Sequence, residues 1–103
     1  MLTIIGTSLY LAPEILMGGG YDERVDMWSI GVTLYQLVAG ITPFESEYHS
    51  DTINNIVKGA YTFDPIAWSN YSYFVKDLVT RLLKPKKERL TIKEASRHLW
   101  FGI

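Results

Sequence analysis

DERVDMWSIGVTLYQLVAG, residues 22–40, is the stretch that decides the fold of this 103-residue chain. The Asp22 carboxylate can accept the free N–H groups of a first helical turn, and Gly40 with Pro43 behind it can end a helix. The stretch therefore predicts a helix over residues 23–39. Apolar residues occupy nearly all sides of that helix, which is typical of a helix buried on most sides. We expect it to be the central helix of a mainly α-helical fold.

Short helices are predicted on both sides of the central helix. Residues 11–16 suggest one, because a proline in a first turn loses no hydrogen bond. Residues 51–58 suggest another, with Ser50 as its N-cap and Gly59 as its stop. The aromatic-rich residues 60–71 are predicted to form a loop.

The C-terminal part of the chain shows two further helix patterns. Apolar residues within 73–84 recur at i, i+3, i+4, i+7 and i+8, which predicts an amphipathic helix with Ser72 as its cap. Thr91 and Glu94 have the spacing of a capping box, in which each side chain accepts from the other's backbone N–H. They predict a final helix that ends at about residue 98. No segment shows a strand pattern above background.

Composition and charge exclude several classes of function. Hydrophobic residues make up 48% and charged residues 20%, as in globular domains, and there is no cysteine to support disulfides or thiolate metal sites. The formal net charge of -1 gives no basic field that would draw the chain to nucleic acid or a membrane surface. The N-terminus lacks a signal-peptide pattern, and the apolar run at residues 27–41 is too short for a membrane span. We therefore expect a cytoplasmic protein.

No catalytic constellation can be built from the residues themselves. His49 and His98 have no partners at ligand spacing, so surface or packing roles are preferred over metal binding. Residues 18–20 are three glycines without the spacing, the Lys-Ser/Thr pair or the preceding strand of a phosphate-binding loop. They are better interpreted as a helix stop. We assign no catalytic residue, no cofactor-binding residue and no metal ligand.

Five short motifs occur in a fixed order along the chain. They are GTSLYLAPE at residues 6–14, DMWSIGV at 26–32, GITPF at 40–44, RLTIKEA at 89–95 and HLWF at 98–101. In this order they resemble the end of the activation segment, the F-helix motif, the G-x-x-P-F turn and the closing motifs of eukaryotic-type serine/threonine protein kinases. The loop around residues 59–61 and Trp68 most resembles the calcium/calmodulin-dependent kinase group.

The resemblance implies a fold, a domain assignment and an activity. Residues 1–103 would be a partial protein kinase domain, from the end of the activation segment through the last helix of the C-terminal lobe. The fold would be that helical lobe without the N-terminal β lobe. A full-length parent would transfer the ATP γ-phosphate to protein serine or threonine, and this chain would be a truncated gene model or a fragment of it.

The resemblance also implies roles in substrate binding and regulation. Gly6, Thr7 and Tyr10 would lie in the substrate-binding loop, where a threonine marks serine/threonine rather than tyrosine kinases. Thr3 would be a possible phosphorylation site, whose phosphate needs an arginine partner to order the segment. That arginine, and the aspartate and lysine that the Thr7 hydroxyl bridges in the family, are missing from this sequence.

Four further residues would belong to the scaffold. Glu14 and Arg89 would form a structural ion pair, with two unrelated surface charges as the alternative. Asp26 binds backbone N–H groups of the catalytic loop in the family; from sequence alone it is an acid in a first helical turn. Trp28 is a core residue under either interpretation.

Phosphoryl transfer needs groups that this sequence lacks. Kinases hold ATP and Mg²⁺ with a Gly-rich loop, a strand lysine, the catalytic-loop asparagine and the D-F-G aspartate, and orient the acceptor hydroxyl with the H-R-D aspartate. None of these motifs occurs in residues 1–103. The chain alone is therefore predicted to be inactive, whereas ATP and Mg²⁺ would bind to a full-length parent.

The expected partners of the kinase fragment are a protein substrate or regulatory protein and the missing N-terminal part of the kinase domain. Two alternatives to the kinase fragment stay open. A second hypothesis is a non-catalytic module that docks such proteins through residues 7–10 and the helix near Asp51. A third is a helical domain unrelated to kinases, which a large separation of Glu14 and Arg89 would favour.

The long apolar helix also predicts marginal stability for the isolated chain. In the family this helix has neighbours that the present sequence does not supply. We therefore expect Trp28, Leu34 and Leu37 to lie partly exposed, and large exposed apolar patches usually indicate a partner or aggregation.

Overall fold

The computed structural model describes residues 11–71 and 73–98. Within them the chain forms six α-helices, one short 3-10 helix and no strand. They are α1 (Pro13–Leu16), α2 (Glu23–Ala39), α3 (His49–Lys58), α4 (Pro65–Trp68), α5 (Tyr73–Leu82), the 3-10 helix (Lys86–Glu88) and α6 (Ile92–Ser96). Among these described elements, no helix is long and apolar enough to cross a bilayer. The mainly α-helical fold expected from the sequence is confirmed.

Both ends of the central helix α2 are capped as the sequence predicts. The backbone N–H of Arg24 donates to the Asp22 carboxylate at 2.8 Å. Gly40 has a left-handed φ of 80°, and its N–H donates to the carbonyl oxygen of Gln36 at 2.8 Å. A side chain at this φ would be strained, so the glycine fixes the end of the helix.

α2 is buried on most sides and exposed along one line. Its exposed positions are Glu23, Asp26, Ile30, Thr33 and Leu37. Leu37 is 74% exposed, and Leu34 is half-buried, as expected. Trp28 is only 1% exposed, so it is a core residue as predicted, and the expectation that it would lie partly exposed in the isolated chain was wrong. Phe44 stacks on its ring with centroids 5.3 Å apart and Arg89 lies over it, and both neighbours come from other parts of the chain.

The most extensive packing between two described helices is that of α2 against α5. The buried stripe of α5 consists of Val75, Leu78, Val79 and Leu82. A Cβ atom on Gly31 of α2 would lie 2.9 Å from the Cβ of Leu82, so only glycine lets the two helices approach this closely. α5 ends at Leu82 rather than at the predicted residue 84, because Lys84 precedes Pro85 and is disfavoured in a helix. The predicted cap Ser72 lies outside the described residues.

A layer of aromatic rings packs beside α2 and corrects the prediction for residues 60–71. This segment contains the helix α4, whose first turn is capped by the Asp64 carboxylate, so it is not a plain loop. Trp68 is fully buried and contacts three other rings at centroid distances of 4.7 to 6.2 Å. The rings of the layer are Trp28, Tyr35, Phe44, Tyr61, Phe63, Trp68 and Tyr71. Because they come from several segments, they link α2 to the middle of the chain.

α3 begins earlier than predicted. It starts at His49 with Tyr48 as its N-cap, and no side chain caps it, so the assignment of Ser50 was wrong. The Thr52 hydroxyl instead accepts from the backbone N–H of Ser46 at 3.0 Å, which holds the entering chain across the first turn. At the other end Gly59 has φ 66° and stops the helix as predicted.

α6 opens with the predicted capping box. The Thr91 N–H donates to the Glu94 carboxylate at 2.9 Å, and the Glu94 N–H donates to the Thr91 hydroxyl at 3.2 Å. The helix ends at Ser96, with Arg97 as its C-cap, two residues before the predicted end. The capping box places Leu90 and Ala95 against the α2–α5 contact.

Candidate functional site around Arg89

Arg89 is the most deeply buried charged residue in the described part of the chain, with 2% of its surface exposed. Its Nη1 and Nη2 atoms each donate to one oxygen of the Glu14 carboxylate, both at 2.8 Å. The two residues are separated by 75 positions in the sequence. This parallel pair of bonds is the strongest geometry available to an arginine and a carboxylate, and it fixes α1 against the segment that leads into α6.

Two further donors of Arg89 bind backbone carbonyls. Nη1 donates to the carbonyl oxygen of Arg24 at 2.6 Å, and Nε donates to that of Lys84 at 2.9 Å. The guanidinium carbon lies 5.1 Å from the ring centroid of Trp28, within cation–π distance. We call these five residues the Arg89 cluster. It joins α1, the start of α2 and the end of the α5 segment through one side chain.

The charge on Glu14 is stabilised by this geometry. The hydrogen bonds from Arg89 lower the pKa of the carboxyl group, and they outweigh partial burial, which acts in the opposite direction. With a carboxylate that stays ionised and a guanidinium that is always charged, the pair is a permanent ion pair at neutral pH. Removing one member of such a pair typically costs about 3–5 kcal/mol, because the other charge is left unpaired.

Asp26 lies close to the Arg89 cluster, in the exposed first turn of α2. Its carboxylate accepts a hydrogen bond from the Tyr21 hydroxyl. That hydrogen bond is the largest cause of the raised pKa of Tyr21. Sequence reasoning missed Tyr21, because nothing in the spacing of the two residues distinguishes it from other exposed tyrosines.

A second ion pair ties the 3-10 helix to the start of α2, and sequence reasoning missed this pair too. Lys86 Nζ lies 2.8 Å from the Asp22 carboxylate, and Arg24 Nη1 donates to the Lys86 carbonyl oxygen at 2.6 Å. The pKa of Asp22 is lowered, first by its contact with Lys86 and then by the N–H of Arg24. Asp22 therefore caps the helix and binds the 3-10 helix with the same carboxylate.

His98 pairs with an aspartate on α5. Its Nε2 lies 2.8 Å from the Asp77 carboxylate, which also pairs with Arg81 at 2.8 Å. Burial acts to raise the pKa of Asp77, but the bonds from His98 and Arg81 outweigh it and leave the pKa lowered. Within residues 11–71 and 73–98, no group of three or more histidine, aspartate or glutamate side chains could hold a metal ion.

The structure brings together only part of the residues singled out from the sequence. Glu14, Arg89 and Trp28 meet in one cluster, and Asp26 lies two residues before Trp28 in the exposed first turn of α2. The other four predicted positions lie outside the described residues; they are Thr3, Gly6, Thr7 and Tyr10. Their implied roles in substrate binding and phosphorylation stay predictions.

Comparison with known families matches almost the whole chain. A sequence model of the family described as "Protein kinase domain" matches residues 1–101. Among curated proteins, human serine/threonine-protein kinase DCLK3 is 46% identical over 104 residues, which is 97% of this chain and 16% of that protein. Calcium/calmodulin-dependent protein kinase type 1 of Caenorhabditis elegans is 41% identical over 103 residues, 99% of this chain and 30% of that protein.

Solved structures show the same similarity in three dimensions. The autoinhibited serine kinase domain of titin superposes with a TM-score of 0.87 at 40% identity, over 90% of this chain and 29% of that one. The twitchin kinase region of C. elegans gives a TM-score of 0.88 at 34% identity, over 96% and 18% of the two chains. The present chain spans less than a third of the length of each of these relatives.

Proposed function

Because this chain belongs to the protein kinase domain family, we propose that it is the C-lobe part of a kinase that transfers the ATP γ-phosphate to serine or threonine residues of proteins. Its curated relatives are serine/threonine kinases, and several carry calcium-dependent or calcium/calmodulin-dependent kinase names, in agreement with the sequence motifs. The segment would supply the helical scaffold and the platform on which a protein substrate lies.

The Arg89 cluster is the observation that carries this proposal. Glu14 ends the first motif, Trp28 lies in the second, and Arg89 opens the motif before the last helix. The structure joins all three through one buried guanidinium, with the Glu14 and Arg89 side chains 2.8 Å apart. A helical domain unrelated to kinases would have no physical reason to place these particular residues together, so the third hypothesis loses its main support.

We propose that ATP and Mg²⁺ bind to the part of the kinase domain that precedes these residues. The Gly-rich loop, the strand lysine and the catalytic and metal-binding acids do not occur in residues 1–103. The residues present therefore do not fit Mg-ATP, and no step of phosphoryl transfer is assigned to them. Purified chain is expected to show no phosphate transfer and no change in melting temperature with Mg-ATP, and stabilisation by the nucleotide would contradict this.

The exposed line of α2 favours association with further polypeptide. Ile30 and Leu37 are both exposed on it, and Ile92 of α6 is exposed beside Met27 and Ile30 in a shallow apolar depression. Exposed apolar groups of this size usually mark an interface. We propose that the preceding part of the kinase domain covers this line. The second candidate is a non-catalytic module, in which a regulatory protein would cover the line instead.

A chimera tests the proposed function directly. The segment of the C. elegans calcium/calmodulin-dependent kinase type 1 that aligns with this chain is replaced by residues 1–103, and phosphate transfer to a peptide substrate is measured. The chimera is expected to be active, to lose activity with Arg89→Met, and to keep it with the exposed control Arg97→Met. A folded chimera that binds ATP but transfers no phosphate would favour the non-catalytic module.

The cytoplasmic location is likewise a proposal. It rests on the absence of cysteine in the sequence, which fits a reducing compartment. Fluorescence microscopy of the tagged full-length gene product tests it, and a signal confined to an organelle or the cell surface would contradict it.

A further inference from the structure

A groove of about 650 Å³ lies beside the Arg89 cluster, between α1, the end of α3 and the segment that follows α5. Its lining includes the buried side chains of Trp28, Ile56 and Leu83. At its rim two large apolar residues lie open to solvent, Met17 with 71% and Val57 with 42% of their surface exposed. A volume in the range of about 300–1,000 Å³ with an apolar lining is typical of a ligand-binding groove.

The charges around this groove are almost all positive. Lys58, Lys84 and Lys86 line it, and Glu14 is the single carboxylate among its lining residues. The Glu14 charge is neutralised by Arg89, and Lys86 is paired with Asp22. Within the described residues, Lys58 and Lys84 form no ion pair. The groove therefore combines an apolar interior with two unpaired positive charges, in a protein whose net charge is -1.

We propose that this groove docks a short segment of a partner protein in which two adjacent bulky apolar side chains are flanked by aspartate or glutamate. The apolar side chains would enter between Met17 and Val57, and the acidic groups would pair with Lys58 and Lys84. A single aromatic side chain occupies far less than the volume of the groove, so two fit better than one. Two isolated lysines provide too little positive charge to hold a nucleic acid or an anionic membrane on a net acidic protein.

This docking groove goes beyond the proposed function, because it needs neither ATP nor phosphate transfer. It is tested on residues 1–103 alone by binding, whereas the kinase assignment is tested by the activity of the chimera. A negative result in the binding test therefore leaves the kinase assignment unaffected, and an inactive chimera leaves the docking groove unaffected.

Fluorescence anisotropy with a blocked, fluorescein-labelled peptide of sequence Glu-Asp-Phe-Leu-Asp-Glu tests the groove. Two matched peptides serve as probes of its chemistry, one with lysine in place of the four acids and one with serine in place of Phe-Leu. The protein variants are Lys58→Glu with Lys84→Glu, and Met17→Ser. The control variant Lys76→Glu with Lys93→Glu makes the same change in net charge away from the groove.

We expect the acidic apolar peptide to bind the wild-type chain saturably. Neither matched peptide should compete with it. The Lys58/Lys84 variant should weaken binding by at least about tenfold at low salt, because two attractive pairs become repulsive, and added salt should shrink the effect. Met17→Ser should also weaken it, and the control should not. Backbone amide shifts of the wild-type chain on titration should concentrate at residues 17–19 and 56–59.

Several results would overturn the proposal. They are no saturable binding to the wild-type chain, equal loss in the control variant, equal binding of the lysine peptide, and amide shifts elsewhere. A concentration-dependent dimer that Met17→Ser abolishes, without peptide binding, would assign the groove to a second copy of this chain. If residues 1–103 show no cooperative thermal transition, the same peptides are titrated against the kinase chimera, whose groove has the same lining, and the absence of saturable binding there would refute the proposal.

Discussion

Replacing Arg89 with methionine removes the guanidinium that holds Glu14, two backbone carbonyls and the Trp28 ring. The change keeps most of the apolar stem of the side chain, so lost packing contributes little. The carboxylate of Glu14, whose side chain is 14% exposed, is left without its partner. One-sided removal of such a pair costs about 3–5 kcal/mol.

This cost is large against the stability of a domain of this size, which is of the order of 5–15 kcal/mol for folded proteins in general. Urea unfolding followed by tryptophan fluorescence measures it, because Trp28 lies under the guanidinium. With an m-value of about 1–3 kcal/mol/M, the midpoint should fall by at least about 1 M. Arg97→Met is the matched control, since Arg97 is exposed, and it should leave the free energy of unfolding within about 0.5 kcal/mol of the wild type.

A double-mutant cycle separates the ion pair from the other contacts of Arg89. Glu14→Gln alone leaves the arginine charge without its carboxylate, whereas Glu14→Gln with Arg89→Met leaves no unpaired charge. The double variant should therefore cost less than the sum of the two single variants by at least about 1 kcal/mol. Additive costs within about 0.5 kcal/mol, or an Arg89→Met variant as stable as the wild type, would refute the reasoning.

Three further predictions concern pH, helix packing and capping. The folded-state pKa of Glu14 lies below its ordinary value of 4.5, so its contribution to stability is complete above pH 4.5 and is lost as the pH falls through the lower folded-state pKa. Urea midpoints measured across this pH range should lose that acid-dependent part in the Glu14→Gln variant. Gly31→Ala should lower the thermal midpoint although alanine favours helices, because the new Cβ would lie 2.9 Å from the Cβ of Leu82; an unchanged or higher midpoint in calorimetry would show that α5 can move away. Thr91→Ala should cost about 1 kcal/mol through loss of the capping box, whereas the exposed control Ser96→Ala should cost less than about 0.5 kcal/mol by urea unfolding.

Local signals in the sequence predicted the elements that depend on local interactions. The ends of α2 follow from Asp22 and Gly40, whose effects act within one turn. The capping box of α6 follows from Thr91 and Glu94 in the same way. α4 was missed because it is only four residues long and because the burial of Trp68, which holds it in place, depends on rings from distant segments.

The candidate site shows the same division. The contact between Glu14 and Arg89 spans 75 positions, and no periodicity or spacing in the chain indicates it; only the resemblance to kinases does. The resemblance to kinases does not indicate the bonds from Tyr21 to Asp26 and from Lys86 to Asp22, and neither was predicted. The expectation that Trp28 would lie partly exposed was wrong for the same reason, since its cover comes from Phe44 and Arg89.

The Arg89 cluster and the exposed line of α2 differ in whether their interactions are completed within this segment of the kinase domain. Arg89 and its partners tie α1, α2 and the segment after α5 to one another, so the hydrogen bonds and the ion pair of the cluster are made by residues within the described chain. The line from Asp26 to Leu37 is not satisfied in this way, because its apolar members face solvent. Further polypeptide that covers this line would add stability through apolar burial without disturbing the cluster. The cluster therefore belongs to the internal scaffold of the segment, whereas the exposed line is the surface on which we propose that the rest of the kinase domain packs.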